Sequence, residues 1–104
     1  MPLPVKWSEF TYEDIDRVDE VYGVYELGDK DGEVIYIGHG ILRDRLLAHL
    51  RGENPCTHKL AQYYRIEKTG SKTRAEQRER VEMNWYAKKH DGYLPLCNRR
   101  TEYP

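Results

Sequence analysis

The sequence predicts a small α+β domain, in which a β-hairpin and one further strand form a sheet covered by helices. Three observations predict it. Residues 21–40, VYGVYELGDKDGEVIYIGHG, set two runs of Tyr, Val and Ile on either side of the turn-forming GDKDGE. Two later stretches repeat apolar residues at helical spacing, with a short Tyr- and Ile-containing run between them. The 104 residues suffice for one compact domain with one modest core.

Residues 1–19 are an acidic N-terminal extension. Within it Thr11 and Asp14 stand at capping distance, so a short helix with Ile15 and Val18 inward is expected. The hairpin follows at about 21–38. Glycine weakens a strand unless something approaches its backbone, so Gly23 and Gly38 mark places of close approach. Next, ILRDRLLAHLR puts Leu42, Leu46, Leu47 and Leu50 at helical spacing and closes on Gly52. Residues 53–59 read as a polar loop, and AQYYRIEKT as a third strand. In the second long helix Thr73 and Glu76 have capping-box spacing. That run continues through Val81, Trp85, Tyr86 and Ala87 and stops near Gly92. A short PLCN segment and a polar tail finish the chain.

Composition narrows the class. With one Phe but nine Tyr and two Trp, the core must use amphipathic aromatics whose polar ends need partners. No apolar run reaches membrane-spanning length, and the first residues lack the basic-then-apolar plan of a signal peptide. A soluble, cytoplasmic protein is expected. Two cysteines are too few for a disulfide framework. Cys56 and His58 could ligate a metal, but a zinc site would recruit four patterned ligands, so Cys56 and Cys97 read as spectator thiols. The net charge of −1 conceals an asymmetry. Residues 1–34 hold ten acids and three bases, net −7; residues 35–104 hold fourteen bases and eight acids, net +6. Such a split marks either a basic working face beside an acidic flank or a solvated surface with clustered signs.

Arg45 and His49 lie four apart on the first long helix and share a face just after the Tyr-Ile-Gly turn, which suits an anion such as phosphate. Glu76, Glu79 and Glu82 run at i, i+3, i+6 on the second. One carboxylate delivered beside two tyrosines and an arginine is how Mg²⁺ is held near phosphate.

Together these parts resemble the GIY-YIG nuclease domain. The resemblance is carried by GVY at 23–25, YIG at 36–38, an arginine and histidine in the following helix, a glutamate in a later helix, and a terminal P-x-x-N. It covers about residues 20–100. It implies a three-stranded antiparallel sheet flanked by helices, and cleavage of DNA phosphodiesters with a divalent metal, Mg²⁺ or Mn²⁺. Carried over by motif, the catalytic tyrosines are Tyr25 and Tyr36, the arginine is Arg45 and the helix histidine is His49. The polar residue after Y-I-G is His39, and the late asparagine is Asn98. The metal-binding glutamate best matches Glu82, with Glu79 the alternative because the stretch from Glu82 to Pro95 is long. No DNA-recognition module accompanies the domain, so selectivity would come from DNA structure or context, or from a protein partner. The alternative is a non-catalytic nucleic-acid-binding module or a nuclease subunit dependent on that partner.

Overall fold

The computed structural model describes Leu3 and residues 5–99; the polar tail expected at 100–104 lies outside them. Strands β2 (Tyr22–Gly28) and β3 (Val34–Ile41) form the antiparallel hairpin. Its turn is closed by the Asp29 carboxylate, which accepts from the N–H groups of Asp31 and Glu33. Strand β4 (Tyr63–Lys68) pairs antiparallel with the other side of β2, so β2 is central. A two-residue β1 (Ser8–Glu9) then adds to β4, giving the order β1-β4-β2-β3. The sheet therefore has four strands where three were expected. Two residues carry no period-2 pattern, so β1 has no signature of its own and exists only through its pairing with Tyr63 and Tyr64.

Helix α1 (Tyr12–Ile15) is capped by Thr11 as expected, with Ile15 and Val18 buried. Helix α2 (Leu42–Leu50) buries Leu42 and Leu46. The expected polar loop at 53–59 is instead largely helix α3 (Pro55–Leu60). The Asn54 side chain accepts from the Thr57 N–H and Pro55 occupies the first turn, an N-terminal signature whose apolar content is too small to show periodicity. Helix α4 (Lys72–Lys89) starts two residues earlier than Thr73 implied, because the Ser71 hydroxyl accepts from the Arg74 N–H. Helix α5 (Leu96–Arg99) follows. Cys56 of α3 and Cys97 of α5 are joined as a disulfide across a separation of 41 residues, so they are not spectator thiols.

Alternation along the sheet sorts its residues onto two faces. Tyr25 and Leu27 pack with Ile15, Leu42, Leu46 and Cys56 beneath the helices on one face. Val24 and Ile37 pack with Leu3, Met83 and Tyr86 on the other, against α4. Two hydrophobic clusters thus replace the single core expected. Beneath α4 the second face is also polar: Arg65 pairs with buried Glu26 at 2.7 Å, and Arg78 bridges Glu67 and buried Glu82. No helix among the described residues is long and apolar enough to cross a membrane.

Candidate active site

The two tyrosines stand on neighbouring strands of the same face, Tyr25 opposite Gly38 and Tyr36 opposite Leu27. Their rings stack with centroids 6.0 Å apart. The glycines have the reason anticipated for them. A Cβ at Gly38 would lie 2.5 Å from the Tyr25 hydroxyl end, so Tyr25 lies directly across that backbone. At Gly23 it would lie 2.4 Å from the Glu67 carbonyl oxygen, so β2 and β4 could not approach as they do.

The hairpin runs straight into α2, and the Leu42 N–H donates to the Val21 carbonyl, which fixes where the helix begins. His49, one face of α2, is only 1% exposed. Its Nε2 lies 2.8 Å from the Tyr25 hydroxyl, and its Nδ1 lies 2.7 Å from the Thr57 hydroxyl. Thr57 donates its own proton to the Asn54 carbonyl, so it can only accept from the imidazole. His49 therefore carries its proton on Nδ1, and Nε2 accepts from Tyr25. Burial, with Arg45 nearby, lowers the His49 pKa to about 4. The ring is neutral at physiological pH.

Burial, then neighbouring Tyr36, pushes the Tyr25 phenol far above its ordinary value, while Arg45 opposes the rise. Tyr36 is half-buried; burial raises its pKa, Arg45 lowers it, and Glu79 adds to the rise. Arg45 crosses Gly40, where a Cβ would lie 2.7 Å from the arginine Cγ and φ is +141°. Its guanidinium donates to Glu53 at 3.3 Å. Tyr25, Tyr36, Arg45 and His49 are thus one cluster. Arg43 faces elsewhere and pairs with Glu20.

The remaining residues divide differently. His39 lies on the opposite sheet face and pairs with Glu79 at 3.0 Å, with Glu76 3.9 Å from its other nitrogen. The charge of Glu79 nonetheless acts on Tyr36. Glu82 is 2% exposed, engaged by Arg78, and its charge acts on Glu26 instead. Asn98 spends both ends of its carboxamide on one residue: Oδ1 accepts from the Ile37 N–H and Nδ2 donates to the Ile37 carbonyl, each at 2.9 Å. It holds the Y-I-G strand from outside. Thr57, which sets the His49 tautomer, has no counterpart in the sequence expectations; Asn54-Pro55 followed by Thr57 was the available signal.

For a divalent cation, the half-exposed Glu79 carboxylate is the donor of suitable type. Mg²⁺ needs only one or two protein carboxylates, the rest of its shell being water and phosphate. Glu82 is buried and engaged by Arg78. Cys56 is no zinc ligand because its sulfur is bonded to Cys97.

A family model described as Domain of unknown function (DUF7508) matches residues 1–90, a span that includes Tyr25, Tyr36, Arg45, His49 and Glu79 but not Asn98. No curated protein matches the chain.

Proposed function

The chain belongs to the DUF7508 family, and we propose that it is a metal-dependent DNA endonuclease of the GIY-YIG type. One observation carries this reading: two tyrosines from the hairpin and an arginine and a histidine from α2 meet on one face of the sheet, and the charge of Glu79 on α4 reaches Tyr36. That set matches what hydrolysis of a phosphodiester requires, namely a proton acceptor for water, a cation for the developing charge and a ligand for a metal.

Tyr36, the more accessible phenol, first gives its proton to solvent; the phenolate so formed takes the proton of the attacking water and becomes the phenol again. Arg45 lowers the cost of that phenolate and neutralises charge on the phosphate oxygens. Tyr25, locked to His49, orients Tyr36 by stacking. Glu79 and His39 form the cation-binding edge, and Glu79 takes the metal-ligand role that the resemblance gave to Glu82. Glu79, with His39 beside it, would hold a Mg²⁺ or Mn²⁺ ion, which would supply Lewis acidity to the phosphate. Asn98 positions the strand that carries Tyr36. With so little surface for base readout, cleavage is selective for DNA structure or context.

Nicking of supercoiled plasmid and branched DNA with Mg²⁺ or Mn²⁺ tests the reading, with EDTA and Tyr36→Phe as controls. Metal-dependent nicking that Tyr36→Phe abolishes is expected. Nicking that survives Tyr36→Phe, or no nicking with either metal, would sink it.

A further inference from the structure

Helix α4 sorts its charges by face. Its three glutamates turn toward the sheet, where Glu82 is buried and Glu76 and Glu79 stand beside His39. Arg74, Arg80 and Lys88 stand on the side of α4 away from these glutamates, with Lys72 and Lys89 at its two ends, and all five are exposed. None of these five is ion-paired among the described residues, a property they share with Lys6, Arg17, Lys30, Arg51, Lys59 and Arg99 elsewhere, whereas Arg43, Arg45, Arg65, Lys68 and Arg78 all are. Amid the cations Trp85 is 37% exposed, with the Lys89 ammonium 4.9 Å from its ring centroid. A chain with net charge −1 does not present five unpaired cations on one helix through overall basicity.

We propose that the outer face of α4 binds a single-stranded segment of DNA. The cations take its phosphates, and Trp85 stacks on an unpaired base. From Arg74 to Lys89 the helix runs about 22 Å, long enough to track several phosphates. An exposed indole among cations is the arrangement that serves strands without sequence preference, since every base offers a π face. A duplex keeps its bases stacked and offers Trp85 nothing equivalent. An acidic peptide would use the cations but not the ring. The surface lies on the same helix as Glu79, so a strand held there is tethered beside the candidate active site. The choice of DNA over RNA rests on the nuclease reading; the surface itself does not.

Fluorescence anisotropy of labelled oligo(dT) in EDTA tests this without any cleavage. Trp85→Ala should weaken binding about tenfold with the salt slope unchanged, and Trp85→Phe should retain most of it. Lys88→Glu with Lys89→Glu should flatten the log K versus log salt slope by roughly 1.4, about 0.7 for each lost contact on a single strand. Circular dichroism melts confirm that these surface variants fold. Equal binding by wild type and Trp85→Ala would overturn the proposal. So would equal affinity for duplex and single strand, or displacement of oligo(dT) by poly-glutamate at matched charge. Oligo(rU) binding more tightly than oligo(dT) would overturn the DNA assignment. Failure of the nuclease reading looks different: oligo(dT) binds as described, but Mg²⁺ produces no nicks.

Discussion

His49 accepts the phenolic hydrogen of Tyr25 on Nε2, and it can do so only because Thr57 already takes its Nδ1–H. Protonating the ring would put two donors against one another in a buried site. The folded-state pKa of about 4 lies below the ordinary value of 6.5, so unfolding takes up a proton between them. This stability is fully present above about pH 6.5 and is lost as pH falls toward 4. Between pH 7 and 5 the loss should be about 2 kcal/mol. Urea unfolding at the two pH values should show that drop in wild type and a smaller one in His49→Gln. Equal drops would mean that the ring does not titrate as its surroundings require.

Arg45 and Arg43 are two residues apart on α2, so their side chains diverge by about 200°. Arg45 lies against the tyrosines, and Arg43 pairs with Glu20. At saturating DNA, Arg45→Ala should lower the cleavage rate on the order of 10²-fold or more, and Arg45→Lys should recover only part of it. Arg43→Ala should change salt dependence and little else. Equal losses at both positions would reduce the role of Arg45 to general electrostatics.

Glu79 and Glu82 separate activity from stability. Glu79→Gln removes the half-exposed carboxylate beside His39, so cleavage should collapse while the melting curve hardly moves. Glu82→Gln leaves Arg78 short of a buried partner and should cost about 3–5 kcal/mol of stability. A Glu82→Gln protein with wild-type stability but no cleavage would restore Glu82 to the metal role.

The Cys56–Cys97 bond closes a loop of 41 residues that contains β4 and α4. By the chain-entropy account such a loop stabilises by about 4 kcal/mol, less any native strain. Dithiothreitol, or Cys56→Ser with Cys97→Ser, should lower the urea midpoint correspondingly. An unchanged midpoint would show that the bond does not form in solution. Disulfides are uncommon in a reducing cytosol, so a cytoplasmic location would favour the weaker, reduced form.

The hairpin, α2, β4 and α4 were legible because each carries a periodicity or a capping pair long enough to stand above chance. So were Tyr25, Tyr36, Arg45 and His49 as a cluster, since the hairpin and the four-residue helical spacing fix them relative to one another. The different surroundings of Glu79 and Glu82 were not. They differ by three residues on one helix, and only their partners, His39 and Arg78, tell them apart. Thr57 was illegible for a related reason: its importance lies in a contact with His49, eight residues away on another helix. The disulfide was hidden because pairing depends on how α3 and α5 meet, which no local pattern records.

Asn98 also bears on what this protein does in company. Strand β3 is the open border of the sheet, and borders of that kind recruit strands from other molecules through their free N–H and C=O groups. By occupying both groups of Ile37, the carboxamide acts as a one-residue false neighbour in the middle of β3. A second copy cannot zip along that strand without first evicting it. Asn98→Ala would leave the pair open, turning the same border into a template for edge-to-edge aggregation at high concentration.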